Sequence, residues 1–119
     1  MVEIAEPSRG AYNFNGRVEE VLKEFNNKFL NERFHIIIAP LDKDWKNMHT
    51  WIPINKESTE IKVIRGTALG EYIQQLHSIG IYGATISEVM QNMVGKPFLF
   101  IKRRVGRMEK EVWFPKEML

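Results

Sequence analysis

Apolar residues recur along residues 16–31 at Val18, Val21, Leu22, Phe25 and Phe29, the spacing of one face of an amphipathic helix. Arg17, Glu19, Glu20, Lys23 and Glu24 fall on the opposite face, and Asn13 or Asn15 is placed to cap it. The pattern then changes. Residues 34–39 are continuous, apolar and rich in β-branched side chains, and Pro40 closes them, which predicts a buried strand. A polar loop, 41–47, surrounds Trp45 and leads to an expected edge strand over 48–54, broken by Pro53. The alternation of Ile61 and Val63 with Lys62 predicts a third strand over 60–65.

Thr67 caps a second helical stripe, Leu69, Tyr72, Ile73, Leu76 and Ile79, with Gly80 at its C-terminal end. Thr85 to Glu88 is a capping box that opens a short helix through Ile86, Val89, Met90 and Met93. Residues 98–101 and 112–114 are the last two strands, joined across a basic turn at Gly106. The expected order is α, β, β, β, α, short α, β, β. Residues 1–15 show no periodicity and are expected to be a flexible lead-in to a single domain over 16–119.

The chain has 119 residues, enough for one domain with its own core. It has no cysteine, so disulfides, thiolate metal sites and cysteine nucleophiles are excluded. No run approaches the length of a membrane span, and the N-terminus lacks the layout of a signal peptide. A cytoplasmic, soluble protein with no membrane partner is expected.

The net charge is +2, but its placement is uneven. Lys102, Arg103, Arg104, Arg107 and Lys110 face only Glu109 and Glu111, leaving a local +3 on a body that sums to −1. Arginine in such a cluster suits phosphate through bidentate contacts, whereas charge that only protects a hairpin from edge pairing would explain it more simply. Trp45, flanked by Lys43 and Lys46, is the residue type that stacks on unpaired bases.

Enzymatic chemistry finds no footing. His35, His49 and His77 lie 14 and 28 residues apart, with no metal-ligand spacing, and no metal or cofactor is expected. The serines lack a nucleophile-elbow context, and the helical glutamates are explained by exposed faces and caps. The segment 66–70 opens a helix but lacks the lysine and glycines of a phosphate loop.

Three strands, a helix and two further strands are the element order of an OB-fold, a small five-stranded barrel. The expected architecture is α+β: an OB-like barrel or strongly curved sheet, a helix between strands three and four, and an N-terminal amphipathic helix. That fold binds oligonucleotides between the loop joining strands one and two and the loop joining four and five. Here those would be 41–47, carrying Lys43, Trp45 and Lys46, and 103–110, carrying Arg103, Arg104, Arg107 and Lys110 beside Lys102.

The stretch from Gly66 to Gly80, then Met93-Val-Gly-Lys-Pro-Phe98, then Val112-Trp-Phe-Pro115, resembles small uncharacterised proteins of archaea and their viruses or plasmids. More loosely it is similar to phage single-stranded DNA-binding proteins of OB-like fold. The resemblance covers about residues 60–115 and implies fold more than activity. The expected function is non-catalytic binding of single-stranded DNA or RNA with little sequence preference. Two alternatives stand beside it. A winged helix would place residues 86–94 in a DNA major groove, although that helix carries no cation before Lys96. A protein-interaction module of a mobile element would use the first helix, 16–31, as a partner or homodimer surface.

Overall fold

The computed structural model describes residue 2 and residues 13–119. Five strands and two helices follow in the order β1 (Phe14–Asn26), β2 (Asn31–Pro40), β3 (Met48–Pro53), α1 (Ala68–Ser78), α2 (Ile86–Gln91), β4 (Pro97–Arg103) and β5 (Val112–Met118). All strand pairs are antiparallel, in the sheet order β3-β2-β1-β4-β5.

The expected N-terminal helix is a strand, the longest in the sheet. β1 pairs with β2 from Gly16 to Asn26 and with β4 from Phe14 to Arg17. Phe14, Gly16 and Val18 point into the core at alternate positions, and a bulge between Val18 and Glu20 resets the phase so that Val21 also points inward. A bulged strand thereby spaces two core residues three apart, as a helix does. Leu22, Phe25 and Phe29, the rest of the supposed stripe, are exposed. A homodimer surface built on a helix over 16–31 loses its basis.

Phe14 and Asn15 belong to β1 rather than to a lead-in; the earlier residues of that lead-in, save residues 2 and 13, lie outside the described ones. The expected third strand over 60–65 is also absent. That segment is irregular, with a single bridge between Thr59 and Lys62, and Ile61 projects into solvent. Its role is to lead into α1: the Thr67 hydroxyl donates to the Ile64 carbonyl at 2.7 Å and accepts from the Gly70 N–H at 3.1 Å.

The two helices and the C-terminal hairpin follow the sequence pattern. Leu69, Tyr72, Ile73 and Leu76 are buried, as are Ile86, Val89 and Met90. α1 lies over β5, where the buried Tyr72 hydroxyl donates to the Trp113 carbonyl at 3.0 Å and Gln75 donates to the carbonyls of Pro115 and Lys116. Burial without a charged partner pushes the Tyr72 hydroxyl pKa far above the phenolic range. α2 is tied to β1 by Gln91, which donates to the Val21 carbonyl at 2.7 Å.

Phe14, Phe34, Ile36, Ile38, Ile52, Phe98 and Phe100 fill the sheet's inner face. The sheet curls so that its edge strands approach, and the Trp113 N–H donates to the buried Thr50 hydroxyl at 3.2 Å. No strand ladder joins β3 to β5 among the described residues, so the sheet is not closed. No helix among them is long and apolar enough to cross a membrane.

Candidate functional site

β2 alternates strictly between the two sides of the sheet. Phe34, Ile36 and Ile38 are buried, and Arg33, His35 and Ile37 lie on the outer face. On β3, Thr50 and Ile52 point in, leaving His49 and Trp51 outward. Cross-strand register sets His35 opposite Trp51 on one side and Leu22 on the other, with Glu24 opposite Arg33.

These outward side chains form one connected cluster. The Trp51 indole stacks on His35 at 4.7 Å and 21°, and lies near-parallel to His49 at 6.0 Å. The Arg33 guanidinium sits 5.5 Å from the Trp51 ring. Glu24 ties the cluster together, accepting from Arg33 Nε at 2.9 Å and from the Trp51 indole N–H at 3.0 Å, with His35 Nδ1 3.3 Å away. Burial opposes ionisation of Glu24, but the hydrogen bond from Arg33, the facing His35, the bond from Trp51 and the Arg33 charge outweigh it. Its pKa is lowered below the usual carboxylate value.

His35 Nε2 and His49 Nδ1 are 2.8 Å apart. One ring donates to the other in this contact, in the direction their tautomers set, while His35 Nδ1 faces Glu24 Oε2 as a charge contact at 3.3 Å. A metal ion would have to compete with these contacts. No cluster of His, Cys, Asp or Glu among the described residues is arranged to hold one.

The cluster borders a groove of about 780 Å³ whose lining includes Arg33, His49 and Trp51. One wall is the turn between β1 and β2, residues 27–30, which contributes Lys28 and Phe29. The other wall is the loop from 104 to 111, with Arg107, Met108 and Lys110. Leu30 in that turn has φ +52, a conformation a branched side chain adopts at a cost, and it is exposed.

The loop 104–111 is not a free tip. Val105 is fully buried, the Gly106 N–H donates to Glu71 on α1 at 2.9 Å, and Arg103 reaches the same carboxylate at 3.9 Å. Arg103 also lies over the Phe114 ring, 4.5 Å from its centroid, and so faces α1 rather than the groove. Lys102, one residue earlier, lies over Trp113 on the groove side. Of the basic residues expected to bind, Lys102, Arg107 and Lys110 line the groove. Arg104 lies at the start of the loop and accepts from Arg103 through its carbonyl.

The loop 41–47 joins β2 to β3 and not the first two strands, a consequence of β1 being a strand. Trp45 packs edge-on against the buried Phe14 at 5.7 Å, and Lys43 lies over the Trp45 ring. Neither these two nor Lys46 lines the groove. Sequence reasoning missed Trp51, Arg33, His35, His49 and Phe29. The polar–apolar alternation of residues 33–38 was the available signal, and it was masked by the continuous run from Phe34 to Ala39.

Two polar side chains of α2 and that of its C-terminal cap, Asn92, are engaged within the molecule. Ser87 donates to Glu60, Gln91 to the Val21 carbonyl, and Asn92 to the Tyr82 carbonyl. Searches of family models, curated proteins and solved structures find no match to the chain.

Proposed function

We propose that this protein is a non-catalytic binding module for single-stranded DNA or RNA, with the groove beside Trp51 as its site. One observation carries it: an indole stacked with two imidazoles and a guanidinium lies in a groove whose walls supply Lys28, Arg107 and Lys110. Stacking faces bordered by cations are what single-strand binding requires, because every base has a π-face and every nucleotide a phosphate.

The strand neighbours support an OB-like fold. β1 lies between β2 and β4, α1 falls between strands three and four, and β3 meets β5 at the Thr50–Trp113 hydrogen bond. In such a barrel, ligands cross the face of strands two and three between the first and fourth loops. With β1 as the first strand, those loops are 27–30 and 104–111, the two walls of the groove. The winged-helix alternative is not favoured, since Ser87, Gln91 and Asn92, three of the side chains it would turn to a duplex, are hydrogen-bonded within the protein.

The test is titration of a fluorescein-labelled oligonucleotide over a salt series. Contact with about three to four phosphates gives a log–log slope near −2 to −3. Trp51→Ala should weaken binding by about 1–3 kcal/mol, and Trp45→Ala by much less. Absence of binding at low salt, or a larger loss from Trp45→Ala, would overturn the assignment.

A further inference from the structure

Beyond Phe29 the groove does not end. A second depression of about 590 Å³ shares Phe29, Asn31, Pro53, Arg107 and Met108 with the first and continues to the start of α1. Its charge differs from that of the first. The first groove includes Glu109 and Glu111 among its lining, whereas the second is lined by Lys56, Arg65 and Arg107 with no carboxylate. None of these three cations forms an ion pair with a described residue, although five other lysines, arginines and histidines do. Lys56 and Arg65 come from the irregular segment between β3 and α1, and neither belongs to the basic hairpin.

Cations gathered at one depression with no internal partner repel one another, and only solvent screening offsets this. A polyanion that runs the length of both depressions removes that cost. A chain whose bases rest on Trp51 would pass Phe29 and present its next phosphates to Arg107, Arg65 and Lys56. Phe29 is exposed on the turn and contributes to both depressions, so it stands at the junction as an aromatic face.

Resting on the proposed single-strand binding, we infer that the nucleic acid follows a two-part path, with a phosphate-binding extension formed by Lys56 and Arg65 past Phe29. Short strands fill only the Trp51 part, and longer strands reach the extension.

The experiment compares oligothymidylates of about 4 and about 16 nucleotides, the range of site sizes for such folds, on the parent and on a Lys56→Ala/Arg65→Ala variant. Both residues are exposed, and quenching of Trp51 emission by the short strand reports that the variant remains folded. The long strand should lose on the order of tenfold in affinity, with a slope shallower by about 1.4, as expected for two phosphate contacts. The short strand should bind as before. A Lys96→Ala/Lys116→Ala control, equal in charge, should leave both unchanged.

Unchanged long-strand binding in the variant overturns the extension and leaves the Trp51 site standing. Equal losses for both lengths, or the same loss in the control, also overturn it. Failure of the parent to bind either strand overturns both proposals. Full displacement of the long strand by polyglutamate at equal charge reassigns the extension to an acidic peptide.

Discussion

Glu24 is the residue on which the outer cluster turns, because Arg33 and Trp51 donate to its carboxylate and His35 faces it at 3.3 Å. Its lowered pKa fixes the sign of a pH effect. A carboxyl whose folded value lies below its unfolded value stabilises the fold fully above the ordinary value of 4.5. That contribution is lost as pH falls through the lowered value. Glu24→Gln keeps an acceptor oxygen but removes the charge. Urea unfolding should therefore show the parent more stable than the variant at neutral pH, with the gap closing below pH 4.5. A gap that persists or widens on acidification would show that the charge is not what binds Arg33, His35 and Trp51 together. The same residue shows why the cluster was hidden in the sequence. The sequence pattern puts Glu24 on a helix face, where an exposed glutamate needs no partner. Only the β1–β2 register sets it opposite Arg33 and within reach of Trp51, 27 positions further on.

At the scale of elements, the C-terminal hairpin was legible and β1 was not, for related reasons. β4 and β5 are apolar at their bases and charged at their turn, a signal that survives without knowledge of any neighbour. β1 carries a bulge, which converts period two into a spacing of three, and its true period appears only once β2 and β4 are beside it. The hairpin held one surprise, in that its basic loop is anchored. Gly106, at φ +56, lies against the backbone of Thr67 and Ala68 with no room for a Cβ, whereas Gly95, at φ +82, has open space around it. The two glycines make a matched comparison. Gly95→Ala should cost about 1–2 kcal/mol, the penalty for an L-residue in the left-handed region. Gly106→Ala adds the displacement of loop 104–111 from α1, a further ~1–3 kcal/mol by analogy with overpacking, and should weaken oligonucleotide binding as well. Equal costs in thermal unfolding would mean that the loop yields freely and does not hold Arg107 in place.

For the whole molecule, the order of strands decides which loops share an opening. Five strands were expected and five are present, but exchanging residues 60–65 for 14–26 shifts every strand number before α1 by one. The tryptophan loop 41–47 then moves from first loop to second, and the turn 27–30, with its exposed Phe29, takes its place opposite the basic loop. That geometry depends on β3 and β5 approaching each other, and the approach is marked by a single hydrogen bond. Thr50 is buried with its hydroxyl accepting the Trp113 N–H. Valine has the same shape without the oxygen, so Thr50→Val leaves that backbone donor buried and unpaired, at a cost of about 1–3 kcal/mol. Because Thr50 and Trp113 also line the groove, the variant should bind a short oligonucleotide less tightly than the parent. A valine variant as stable as the parent in urea would mean that the two edges are held by packing alone, and that the groove can open along the line between them.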